Sequence, residues 1–163
     1  MPDTAQKQIL DKIEERLGNI SEANGYSATP TKIERARLKP LKDYDLPAIN
    51  YYAINDDRTG AGAGYEERSL GIIIEYYEAT RDRNFVDVAY SLAADVWSAL
   101  WRDVSAPAIS DDPSHALGNL VTTLLLESIT PQIGEGQAPF CGAVLQVSVL
   151  YKRLPDTPFV IVN

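Results

Sequence analysis

Cysteine and histidine are almost missing from this chain, which has one of each, Cys141 and His115, in 163 residues. A lone cysteine excludes an intrachain disulfide or a cysteine-rich zinc cluster, and with a single histidine any metal chemistry falls to carboxylates. No stretch has the ligand spacing of a calcium loop, and no cofactor is expected. Positive charge is also short. With 15 Lys and Arg against 23 Asp and Glu, the net charge is -8 and the isoelectric point near 4.6. That balance argues against general nucleic-acid binding, which needs a basic footprint, and favours solubility. Long apolar runs are absent too: none approaches the roughly 18 residues of a membrane span. The N-terminal MPDTAQKQ lacks the basic start and apolar core of a signal peptide. The expectation is a soluble protein made in a cytosol.

What is present is ordinary globular material, 45 % hydrophobic and 23 % charged, enough for one domain over residues 1–163 that buries about two thirds of its unfolded surface. The most periodic stretch is Asn84 to Asp103. At helical spacing, Phe85, Val88, Ala89, Leu92, Val96, Ala99 and Leu100 make one broad stripe, while Val86, Tyr90, Trp97 and Trp101 make a second beside it. Asp87, Ser91, Asp95, Ser98 and Arg102 form the polar face. A sheet covers one such stripe, so the aromatic one asks for cover from elsewhere in the subunit or from another molecule. Asn84 is a good N-cap, with Asp87 near the positive end of the helix dipole. A first helix follows Asp3 and Thr4, with Ala5, Ile9, Ile13, Leu17 and Ile20 on one face and Gln6 in capping-box position after Asp3.

Between the helices the pattern turns to strands. Thr31 to Leu38 reads as a short strand in which Ile33, Arg35, Arg37 and Lys39 share a face; that basic face suits either an acidic docking partner or an edge strand kept soluble by its charges. Pro47 to Ile54 reads as a strand opened by proline and stopped at Asn55-Asp56-Asp57. Thr59-Gly60-Ala61-Gly62-Ala63-Gly64 tempts toward a phosphate loop, but it is neither G-x-G-x-x-G nor a Walker sequence, and it lies between strands. A mobile loop over 56–67, including Tyr65, is the expectation. Arg68 to Ala79 is the strongest strand, apolar on both faces and so placed mid-sheet. Leu120 to Ile129, stopped by Pro131, and Gly142 to Lys152, joined through Gly134-Glu135-Gly136-Gln137, read as an antiparallel hairpin. The C-terminal arm 154–163 carries Phe159-Val160-Ile161-Val162, which either adds an edge strand at home or reaches a neighbour.

The fold class is therefore α+β: a mostly antiparallel sheet of four to five strands, with one long and one N-terminal helix packed against it. Catalytic constellations fail their spacing tests. Asp111-Asp112 near His115 is better explained by turn and helix-start chemistry. Glu66-Glu67 is split across a sheet by the period of two, and Glu75 with Glu78 is unremarkable. The expectation is a protein that is not an enzyme, with affirmative features that all concern contact.

The order of elements resembles the tail terminator, or tail-completion, proteins of long-tailed bacteriophages. The resemblance rests on the N-terminal amphipathic helix, the basic stretch, Leu46-Pro47-Ala48-Ile49, a long loop, the central strand, the helix from Phe85 to Leu100 and the closing strand from Leu145 to Arg153. It implies a small α+β subunit in a homo-hexameric ring that caps the tail tube, ends its polymerisation and offers the head-docking surface. The partners it implies are a second copy, the tail tube protein and the head-completion or connector protein, with DNA passing through unbound and no membrane. The implied place is the head-proximal end of the virion tail, after synthesis in the host cytoplasm. It carries no catalytic, cofactor or metal residues. Candidate interface residues are Arg35, Arg37, Lys39, Gly60, Gly62, Gly64, Tyr65, Tyr90, Trp97, Trp101, Phe159 and Ile161. The alternatives are a monomeric binding or regulatory module of a prophage cluster, or another head-tail junction protein.

Overall fold

A computed structural model describes residues 3–39, 42, 45–79, 84–102, 117–118, 120–134 and 140–162. The acidic pair Asp111-Asp112, His115, Asp103 at the end of the expected helix and the turn residues 135–137 lie outside the described residues. The order is helix α1 (Ala5–Leu17), strands β1 (Lys32–Arg35), β2 (Ala48–Gly62) and β3 (Tyr65–Ala79), helix α2 (Phe85–Trp101), then strands β4 (Thr123–Gly134), β5 (Phe140–Leu154) and β6 (Thr157–Ile161). This is an α+β architecture. Its sheet runs β1-β2-β3-β5-β4, with β6 on β5 beyond the end of β4. Among the described strands only β1 and β2 pair in parallel; the other pairs are antiparallel.

Both helices form for local reasons and are buried by their periodicity. The Thr4 hydroxyl accepts from Lys7 N–H at 3.2 Å, and Asn84 Oδ1 accepts from Val86 N–H at 3.1 Å, each satisfying a donor that the first helical turn leaves over. The expected Asp3/Gln6 box does not form, because the N-cap is Thr4 and not Asp3; the Gln6 amide donates to the Asp56 carboxylate instead. Ala5, Ile9, Ile13 and Leu17 of α1 and Ala89, Leu92, Ala93, Val96, Ala99 and Leu100 of α2 are buried. They meet Ile49, Tyr51, Leu70, Ile72, Ile74, Tyr76, Leu145, Val147 and Val149 in one hydrophobic cluster. Registers such as Ile49 opposite Tyr76 and Ile74 opposite Leu145 keep these side chains on one face of the sheet.

The expected loop over 56–67 is instead the distal half of a long hairpin, for β2 continues to Gly62 and β3 starts at Tyr65. The glycines serve that hairpin. A Cβ on Gly62 would lie 2.3 Å from Tyr65 Cζ, so the tyrosine ring occupies the space a side chain would need. Gly64, at φ +84°, makes the turn in a backbone region that other residues rarely adopt. Register shifts at Ala53/Asn55 and Arg58/Gly60 bend the outer strand. Pro131 likewise does not stop its strand: β4 runs to Gly134, because on an edge strand proline's missing N–H can face away from the ladder.

Candidate interaction surfaces

The basic face expected at Arg35, Arg37 and Lys39 is not assembled. β1 ends at Arg35, and Ala36 takes φ 51°, which breaks the alternation. Arg35 turns toward α1. Its Nη2 lies 2.5 Å from Asp11 Oδ1 and 2.9 Å from Glu14 Oε2, and its Nε donates to the Tyr51 hydroxyl at 3.0 Å. That hydroxyl donates to Glu14 Oε2 at 2.5 Å, and burial together with Glu14 pushes the Tyr51 phenol up to about 12. Arg37 turns the other way, 3.1 Å from both Glu34 and Asp45, and its N–H donates to Asn50 Oδ1 at 3.0 Å. Only Lys39 of the three projects an ammonium with no ion-pair partner among the described residues.

The aromatic stripe of α2 divides. Trp97 and Trp101 are half-buried against the core, ring centroids 5.8 Å apart in a T-shaped pair, whereas Tyr90 is 50 % exposed. Phe85, expected in the buried stripe, is 37 % exposed because the buried stripe begins one turn later at Ala89. Asp95, expected on the polar face, is buried. It accepts from Ser27 N–H at 2.9 Å and the Ser27 hydroxyl at 3.2 Å, clipping the segment after α1 onto α2. Burial raises its pKa against the opposing pull of those bonds.

The C-terminal arm folds home. β6 pairs with β5, the Phe159 carbonyl accepts from Gln8 Nε2 at 2.8 Å, and Ile161 packs on the core. Tyr65 lies half-buried with Lys152 Nζ 4.9 Å from its ring centroid, near Gly60, Gly62 and Gly64 at the hairpin tip.

Three features went unread in the sequence. The first is a polar hub at Asp56, whose carboxylate accepts from Arg68 Nε at 2.9 Å and from the Tyr151 hydroxyl at 3.0 and 3.1 Å, as well as from Gln6. Glu66 beside it pairs with Arg153, which holds its carboxyl below the ordinary value. The second is the sheet face opposite the helices. Tyr52, Ile73, Tyr77, Val144 and Leu150 are half-buried there, and Ile54 and Leu125 are 49 % and 45 % exposed. The two-sided apolar pattern of the central strand was its one visible signal. The third is a cavity of about 370 Å³ beside the start of α2, lined by Glu78, Asp87, Val88, Ser91 and Leu92 among others.

No group of His, Cys, Asp and Glu among the described residues is placed to hold a metal ion, and no helix there is long and apolar enough to cross a membrane. No protein-family model matches the chain, and no curated protein matches it. The geometry thus offers surfaces: a sheet face that no described helix covers, a stiffened hairpin and an exposed aromatic at Tyr90.

Proposed function

We propose that this chain is a structural subunit of a long-tailed phage or prophage, built into the head-proximal end of the tail. Copies form a hexameric ring that caps the tail tube, ends its polymerisation and presents the surface on which the head-completion protein docks. The role is one of contact, with no catalytic residue or cofactor assigned. The reading starts from the resemblance in the order of elements. The observation that carries it furthest is the sheet face that no helix covers among the described residues, where Ile54 and Leu125 stand about half exposed beside Tyr52, Tyr77 and Leu150. Apolar area of this kind is what a subunit reserves for neighbours. Charge supports the same reading: most described Lys and Arg side chains are engaged by carboxylates of the chain itself. The acidic surplus left outward suits a lumen through which DNA slides without sticking.

Light scattering with negative-stain microscopy tests it. Rings of the purified protein, or rings that appear when tail tubes are added, are expected. A stable monomer that never joins tubes sinks the proposal and favours a monomeric binding module.

A further inference from the structure

Leu38 is 97 % exposed, more than any other large apolar side chain described. It is not on a loose tether. Arg37 before it is held by Glu34, Asp45 and Asn50, and the Lys39 carbonyl after it accepts from Arg37 Nε. Lys39 adds an ammonium without an ion-pair partner among the described residues, so the pair presents an apolar knob with one available positive charge.

The same chain carries a cavity of matching chemistry. Its volume of about 370 Å³ falls in the range of small-ligand pockets. Leu92, buried, and Val88, half-buried, give it an apolar floor, while Asp87, exposed, and Glu78, half-buried, bring carboxylates that meet no cation among the described residues. Its walls are set: Ser91 Oγ donates to the Asp87 carbonyl at 2.9 Å, and Ser27 is tied to Asp95. At 97 % exposure, Leu38 does not fill the cavity of its own chain.

We infer that the occupant is a second copy, whose Leu38 enters this cavity while its Lys39 meets Glu78 and Asp87. Each subunit then offers its knob to one neighbour and its cavity to the other. Such a contact is heterologous, and a rotation that closes makes a ring. The inference rests on the ring reading above and names one contact within it.

Disulfide trapping tests it, since native Cys141 is fully buried and does not compete. The full chain carrying Leu38→Cys and Ser91→Cys together, oxidised mildly where rings form, is expected to give a ladder of linked multimers. A mixture of the two single variants stops at linked dimers, and neither single variant links alone. Lys39→Glu is expected to abolish the ladder, and adding Asp87→Lys to restore it. Rings visible by microscopy without any ladder overturn the contact and leave the ring reading standing. Linked dimers from Leu38→Cys alone also overturn it, in favour of knob-to-knob packing. Wild-type protein that neither forms rings nor joins tubes overturns both.

Discussion

Replacing Asp56 by Ala separates a built hairpin from a solvated loop. The side chains of Asp56 and Arg68 are only 18 % and 15 % exposed, and Tyr151 is 1 % exposed. Removing the carboxylate strips Arg68 Nε and the Tyr151 hydroxyl of an acceptor each, and releases Gln6 on α1. Arg68 keeps the Asp56 carbonyl at 2.6 Å and Glu66 at 3.5 Å, so its charge is not abandoned. The cost is therefore that of one buried hydroxyl left unsatisfied plus one weakened charged pair, about 2–4 kcal/mol. For a chain of this size that is a fall in melting temperature on the order of 10 °C. Asp57→Ala is the control: Asp57 is exposed and its carboxylate takes one bond, from Asn55, so its loss falls within about 0.5 kcal/mol. Urea denaturation at neutral pH measures both. Equal midpoints for the two variants refute the hub and return 56–67 to a loop.

Two further outcomes are expected. Gly62→Ala forces the Tyr65 ring aside and loosens its contact with Lys152, costing about 1 kcal/mol; in a Tyr65→Ala background the same change costs nothing, and equal costs in both backgrounds contradict the packing. Asp11, Asp45 and Glu66 are all held below their ordinary values, led by hydrogen bonds from Lys7, from Lys42 N–H and from Arg153 respectively. The unfolded chain thus takes up protons first on acidification. Their stabilisation is complete above the ordinary values of 3.8 and 4.5 and is lost as pH falls through the lower folded values. Arg153→Met removes the main cause at Glu66 and flattens this acid limb of the urea midpoint; an unchanged limb refutes the assignment. Asp95 acts in the opposite sense, since its raised value means stability declines as pH rises from 3.8 toward the folded value.

What the sequence revealed was local. The α1 stripe, the Asn84 cap and the alternation of β3 and β5 depend on neighbours a few residues away, and the fold class follows from their order. The hairpin was hidden because its outer strand is polar and glycine-rich. Its strand character comes from pairing with β3, and the partners of Asp56 lie 12 and 95 residues away. The supposed basic face failed at a single dihedral, at Ala36, together with acidic partners on α1 and at Asp45 that no strand pattern announces. Helical spacing placed Trp97 and Trp101 beside Tyr90. It carried no information on which of the three the core reaches, and Tyr90 is left half exposed while Trp97 and Trp101 pack on the core.

The edges of the sheet bear on how copies can meet. An open strand is the cheapest way to join two sheets, yet each long edge here is obstructed. The distal half of β2 carries two bulges and the charges of Asp56, Asp57 and Arg58. β4 carries a bulge at Glu127 and Pro131, which cannot donate outward. On β6, the Phe159 carbonyl is already taken by Gln8. β1 is only four residues long. Extending the sheet from copy to copy would mean undoing at least one of these devices. Association through the face that no described helix covers, or through a knob and cavity, leaves them all intact. Pro131→Val with Glu127 deleted would open the β4 edge while keeping Leu125 and every other apolar residue named on either surface. If rings persist unchanged in that variant while uncontrolled aggregation rises, contact through faces holds; rings that gain stability from the freed edge would show that strands were the joint.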